Sequence, residues 1–290
     1  MTGIAMGIVL TAAFLHATWN YLAKCSQNKL AFIWWFILSA LVFYLPMFLY
    51  YLPRTPINTE GWLFILATGV VHFFYFWFLG TAYEKGDLSL VYPLARGSGP
   101  LLVPFLALIL INEDIALSGG AGIALIVLGI YLSHLRSFSL NSFADPFRAV
   151  AMGGSSWALC TGLTIAAYSL VDKIGVGLVY PPVYIYFMLL LSWIFLTPLV
   201  FHQSQGRILR EWQVNKATIM AVGVIVLGAY MMILFALTMA KVSYVVAVRE
   251  VSIVFSVLYG VFRLKETHGR QKILGAVMIA LGVVLIGLSR

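Results

Sequence analysis

LSLVYPLARGSGPLLVPFLALILINED, residues Leu88 to Asp114, holds two opposed signals. Most of it is apolar enough to lie in a bilayer, yet Arg96 stands about a third of the way along, among Pro93, Gly97, Gly99, Pro100 and Pro104. A charge in hydrocarbon costs at least about 2.5–3.5 kcal/mol, so such a residue normally faces protein or a water-filled cavity and marks a functional pathway. The prolines and glycines predict breaks in a helix, tolerable there only where other groups satisfy the freed carbonyls.

The whole chain repeats the apolar half of that signal. Of 290 residues, 62% are hydrophobic and 10% charged, with a mean hydropathy of +0.98, whereas a soluble domain is about a quarter charged. The chain reads as an integral, multi-pass membrane protein, its solvent the lipid bilayer and its expected place a bacterial inner membrane. The net charge of +8 sits between apolar runs, where topology signals belong, which sets nucleic acid aside as a partner. Cys25 and Cys160 have no C-x-x-C spacing, so neither a disulfide framework nor a metal site is indicated, and no cofactor is expected. The opening MTGIAMGIVLTAAFLHATWN lacks a basic leader and reads as a first helix, not a cleaved signal.

A span needs about 20 mainly apolar residues. Ten such runs lie near 3–23, 30–52, 61–83, 88–112, 118–135, 150–172, 181–201, 217–240, 243–262 and 271–288. The longest connections are 136–149 and 202–216, the second expected at the membrane surface with Trp212 among charges. The middle linker divides the chain into similar halves, 1–140 and 149–290. A shift of 153 sets Arg96 on Arg249, Glu113 on Glu266, Gly122 on Gly275 and Gly129 on Gly282. A shift of 149 sets Asn20, Ala23 and Lys24 on Ser169, Asp172 and Lys173. Five spans per half is an odd number, so the halves cross in opposite senses. The expected fold is all-α: ten transmembrane helices built as two inverted five-helix repeats, with a shared site near the midplane.

Charge places the ends of the chain. Arg96 and Arg249 lie within spans, Arg54, Lys173, Lys241 and Arg290 fall on one side, and the other Lys and Arg residues on the opposite side. By the positive-inside rule both termini would then lie outside the cytoplasm.

Polar groups inside the runs are the site candidates. His16, Asn20 and Lys24 recur every four residues and share a helix face; His16 and Asn20 are read as facing a cavity, Lys24 as reaching the interface. In the third span His72, Tyr75 and Tyr83 stand out from bulk aromatics, and in the sixth Thr164, Tyr168 and Asp172 repeat the spacing of four. Asp172, near that span's expected end, is read as solvated. Arg249 and Glu250 are adjacent, so on a helix they point about 100° apart and cannot both face lipid. Either Glu250 neutralises Arg249 or Arg96 and locks two helices, or these charges bind substrate or carry a proton, and the two roles are compatible. Enzyme signatures are missing: there is no H-E-x-x-H, G-x-S-x-G or Walker sequence.

LHATWNYLAK in the first span, KGDLSLVYPLARGSGPLL running on to INED, and KVSYVVAVREVSIVFSVLYGVFRLKE in the second half together resemble the EamA-type, ten-helix branch of the drug/metabolite transporter superfamily, over nearly the whole chain. The resemblance implies a secondary transporter, commonly an exporter of amino acids or other small metabolites. It also implies a central cavity lined by helices 1, 3, 4, 6, 8 and 9, which adds Trp19, Tyr92, Tyr230 and Tyr244 to the candidates. Two features depart from it. The family is drawn with both termini in the cytoplasm, against the charge count, and REVS replaces the usual small residues and proline in the second half. The LHAxWN opening resembles EamA-type proteins associated with phosphonate use. The expected function is alternating-access transport of a small polar organic metabolite (amino acid, amine or related zwitterion or anion), with proton coupling through Glu250 as a corollary. The chain is not read as an enzyme, and a monomer or homodimer is expected. The alternative is a non-transporting membrane subunit or small-ligand receptor.

Overall fold

Within hydrocarbon a lone segment can satisfy its own backbone only as a helix, and the chain is built accordingly. The computed structural model describes residues 1–23, 26–85, 88–133, 135, 156–204, 206–255 and 270–289, with the side chains of Asn20, Tyr83, Tyr92 and Arg96 outside that set. Among the described residues there are ten α-helices: α1 (Gly3–Ala23), α2 (Lys29–Tyr51), α3 (Thr59–Lys85), α4 (Leu88–Leu110), α5 (Leu117–Ser133), α6 (Ser156–Leu178), α7 (Pro181–Ser204), α8 (Arg207–Met239), α9 (Val242–Arg249) and α10 (Arg270–Leu288). Six of them, α2, α3, α6, α7, α8 and α10, are long and apolar enough to cross a membrane by length and composition. The described parts of α1, α4 and α5 supply shorter apolar stretches, Gly3–Trp19, Gly97–Leu110 and Leu117–Ser133.

The two halves fit together as exchanged copies. Helix α3 packs on α6 while α8 packs on α1, and α2 packs on α8 while α3 packs on α7. Each contact is the other with the halves interchanged. The seam between α5 and α10 shows the sense of the exchange. A Cβ on Gly122 would lie 2.7 Å from the main-chain oxygen of Gly282, and one on Gly282 would lie 2.6 Å from that of Gly122. Gly129 and Gly275 face each other in the same way, at 2.7 and 2.5 Å. The residue early in one helix meets the residue late in the other, so these repeat-related helices run antiparallel. Only glycine lets two backbones approach this closely.

Several sequence expectations change here. Helix α4 runs unbroken through Pro93, Pro100 and Pro104. The discontinuity lies in its repeat mate instead: α9 ends at Arg249, Glu250 caps it, and helix resumes over 251–255. Helix α6 continues past residue 172 to Leu178, which moves Asp172 from the end of the span to its interior. The 202–216 connection contains two helical turns of α8 before a kink at Asn215, entered through Gly206 with φ of 74°, a left-handed conformation that glycine adopts without strain. There Glu211, 1% exposed, accepts main-chain hydrogen bonds from Gln27 (3.1 Å) and Asn28 (2.8 Å) at the start of α2, where helix N–H groups have no partner of their own.

Large apolar residues cover both inside and outside. Phe36, Ile126, Ile165 and Tyr184 are buried, while Val42, Phe43, Leu101 and Phe105 are about as apolar and exposed. A face of that kind suits lipid.

Candidate functional site

The helices that the halves exchange, α1, α3, α6 and α8, meet around a cavity of about 60 Å³. Its polar and aromatic wall comes from His16 and Trp19 on α1, His72 and Tyr75 on α3, Tyr168 on α6, Tyr230 on α8 and Arg249 on α9. Phe36, Ile185, Met188, Leu189 and Ile233 supply apolar wall. Seven of the residues singled out from sequence are therefore brought to one place, spread over five helices.

Arg249 is 4% exposed. Its Nη1 donates to the Tyr168 hydroxyl at 3.4 Å, its guanidinium lies 6.0 Å from the centre of the Tyr168 ring, and its Nε is 3.7 Å from Glu250 Oε1. Glu250 is 1% exposed and is not among the residues lining the cavity; it stands beside Arg249 as an ion-pair partner. The adjacent charges thus meet each other where the helix breaks.

On the other face of the site the His72 ring stacks on that of Tyr168 at 4.4 Å. His72 Nδ1 lies 3.0 Å from both the hydroxyl and the main-chain oxygen of Thr68. The Thr68 hydroxyl in turn donates to Asp172 Oδ1 at 2.6 Å. Asp172 also accepts from the Tyr184 hydroxyl at 3.0 Å and, through Oδ2, from the Tyr230 hydroxyl. Gly175, one turn along α6, leaves the room this requires, since a Cβ there would lie 2.4 Å from the Tyr184 hydroxyl. Asp172 is 0% exposed, so its reading as a solvated residue is overturned: it is a buried carboxylate tying α3, α6, α7 and α8 behind the cavity wall. Thr68 and Tyr184 carried no signal in the sequence. Asp172 carried one, the spacing of four that puts it on the face of Tyr168, which the misplaced span end obscured.

Near His16 a second polar contact is made, where Trp19 Nε1 donates to His16 Nδ1 at 2.9 Å. Tyr244 is placed elsewhere. It lines a vestibule at the end where Met1 and Ser289 meet, its hydroxyl accepting from the main-chain N–H of Ala116 at 3.2 Å and lying where a Cβ on Gly119 would fall. Glu113, in the same vestibule, accepts from the main-chain N–H groups of Val242 (2.8 Å) and Ser243 (3.0 Å). That carboxylate holds the start of α9, and so the register that brings Arg249 to the cavity. Asn20, Tyr83, Tyr92 and Arg96 lie on α1, α3 and α4, and their side chains fall outside the described residues.

Comparison with known proteins bears on the same architecture. A solved crystal structure superposes over 98% of this chain and 96% of its own, with a TM-score of 0.74 at 14% identity; at that identity it shows the fold alone. No curated protein sequence matches the chain. The model of the EamA-like transporter family matches twice, over residues 3–135 and 152–288. Members of that family are transporters and not enzymes. The chain belongs to the EamA-like transporter family of the drug/metabolite transporter superfamily and is a multi-pass membrane transporter.

Proposed function

We propose that the protein moves a small polar organic metabolite (an amino acid, an amine or a related zwitterion or anion) across a bacterial inner membrane by alternating access, with ten crossings and the cavity between the halves as its binding site. The observation that carries this reading is Arg249, buried at a cavity wall that also holds His16, His72, Tyr168 and Tyr230, inside a largely apolar bundle. A buried charge in a membrane interior is costly and is placed where a substrate or ion passes. At about 60 Å³ the cavity holds a few waters. A metabolite therefore requires the helices around it to part, as rocking one half against the other would do. The guanidinium supplies paired donors for a carboxylate or phosphonate, and the rings of Tyr75, Tyr168 and Tyr230 supply faces for an ammonium group. Glu250, beside Arg249, is the candidate for proton coupling, and the lipid bilayer is the solvent of the exposed apolar faces.

Proteoliposomes loaded with candidate amino acids, amines and phosphonates test the reading. Transport of at least one is expected, with Arg249→Ala lowering its rate at least about tenfold, the usual effect of removing a charged hydrogen-bond partner. Transport unchanged in Arg249→Ala would remove the cavity from the mechanism. Flux indifferent to a pH gradient and unaltered in Glu250→Gln would remove proton coupling alone.

A further inference from the structure

Hydrogen-bond directions around the cavity fix which atoms of its two histidines can meet a ligand. A main-chain oxygen can only accept, and the single Thr68 hydroxyl proton is committed to Asp172 at 2.6 Å. The atom 3.0 Å from both Thr68 oxygens, His72 Nδ1, must therefore carry the proton. His72 is 3% exposed and shares the cavity wall with the Arg249 guanidinium, a place that disfavours a second cation. The neutral ring has one N–H, so its Nε2 is left as a bare acceptor. His16 is set the other way. An indole N–H only donates, so His16 Nδ1, which receives the Trp19 N–H at 2.9 Å, is unprotonated and the ring's proton sits on Nε2. The cavity thus holds two neutral histidines of opposite tautomer, and Arg249 adds further donors. Tyr230 spends its hydroxyl proton on Asp172 and offers the ligand its ring.

We infer that His72 is the residue that selects the ligand's nitrogen end: its Nε2 accepts a hydrogen bond from an ammonium or other N–H group, while the Arg249 charge in the same wall draws the anionic end. The ligand is then a zwitterion, and a plain anion of equal size is bound less well. Asp172 acts at one remove as a positioning residue, because it orients the Thr68 hydroxyl that receives the His72 proton. The inference rests on the cavity being the substrate site and assigns that site a class of ligand.

Two measurements on the full-length protein test it. The first is ¹⁵N NMR of histidine-labelled protein in lipid, with His72→Gln used for assignment. It reads the tautomer without any ligand: a neutral His72 protonated at Nδ1 is expected, and protonation at Nε2 would overturn the inference. The second compares thermal stabilisation by three matched probes, phenylalanine, 3-phenylpropionate and phenethylamine. Preference for phenylalanine over 3-phenylpropionate is expected to fall about ten- to a hundredfold in His72→Phe, the range for losing a hydrogen bond to a charged group. It should be largely restored in His72→Gln, whose amide oxygen can accept. A preference unchanged in His72→Phe overturns the inference. Failure of the underlying reading looks different: no probe stabilises the protein, or Arg249→Met leaves the response to every probe as it was.

Discussion

The α5–α10 seam and the cavity wall obey opposite rules. At the seam the halves are interchangeable, since Gly122 meets Gly282 and Gly129 meets Gly275 with nearly the same separations. At the cavity they are not. ATGVVH at 67–72 and AVGVIV at 221–226 align on Gly69 and Gly223, both of which are pressed against the other half, Gly69 on Leu191 of α7 and Gly223 on Phe36 and Ser39 of α2. The alignment sets Val222 and Val226 where Thr68 and His72 stand, and the 149-residue shift sets Ala23 where Asp172 stands. Every member of the relay from His72 through Thr68 to Asp172 thus has an apolar counterpart. Packing needs only shape, which both copies can supply, whereas a site that binds one ligand in one orientation needs donors and acceptors that differ from end to end. Duplication provided the frame, and loss of symmetry within it provided the chemistry.

The comparison is broken most severely at the seam. Gly275→Leu sets a side chain against a facing backbone oxygen that a bare Cβ would already approach to 2.5 Å. The backbones must separate, at more than the about 1–3 kcal/mol typical of overpacking, and loss of monodisperse folded protein in size-exclusion chromatography is expected. Symmetry adds the sharper part. Gly122→Leu, at the repeat-equivalent position, should fail to the same degree, and a well-folded Gly122→Leu beside a collapsed Gly275→Leu would show that the seam is not equivalent from its two sides.

The next effect belongs to the asymmetric region. Asp172→Ala leaves the hydroxyls of Thr68, Tyr184 and Tyr230 buried without their acceptor. Hydrogen bonds to a charged group are worth about 1.5–3 kcal/mol each, and rotation of the freed hydroxyls toward main-chain oxygens recovers part, as Tyr184 already lies 3.5 Å from the Phe64 oxygen. A net loss of about 2–3 kcal/mol is expected, seen as a lowered apparent Tm. Because the carboxylate also orients the wall, stabilisation by any bound ligand should fall with it. Glu113→Gln should cost less, about 1 kcal/mol, since an amide oxygen can still accept one of the two N–H groups at the start of α9.

These effects also show why some of the molecule was readable in advance and some was not. Gly122, Gly129, Gly275 and Gly282 marked the repeat by spacing alone, and the fold supplies the reason: close helix approach tolerates few residue types. His16, His72, Tyr168 and Arg249 announced the cavity because polar side chains in apolar runs are costly. Asp172 was misread because a span end was set by composition, and the apolar GVGL stretch that carries α6 on to Leu178 follows the charged Asp172–Lys173 pair that looked like its end. Thr68 was silent because a threonine in a membrane helix can satisfy itself on a nearby carbonyl, and Tyr184 because tyrosines gather in membrane proteins for reasons unrelated to ligands; only the fold shows that these two turn to Asp172. The break was expected among the prolines of α4, where a proline in a helix can be accommodated by its neighbours, and lies instead where Arg249 ends α9 and pairs with Glu250.

The finest test exchanges single groups between the halves. Thr68→Val keeps the shape and removes the hydroxyl that joins His72 to Asp172, while the Thr68 main-chain oxygen remains to hold the His72 proton. About 1 kcal/mol of stability should be lost, the net worth of an ordinary hydrogen bond. The reciprocal change, Val222→Thr, puts a hydroxyl at a fully buried place where the repeat-related counterpart of Asp172 is Ala23. There it can bond the carbonyl four residues back in its own helix, so a change within about 0.5 kcal/mol is expected. Chemical denaturation of both variants and the double mutant measures the difference. Equal costs would mean that the hydroxyl is felt only as volume, and the asymmetry would then lie in Asp172 alone; a cost confined to Thr68→Val would locate it in the whole relay.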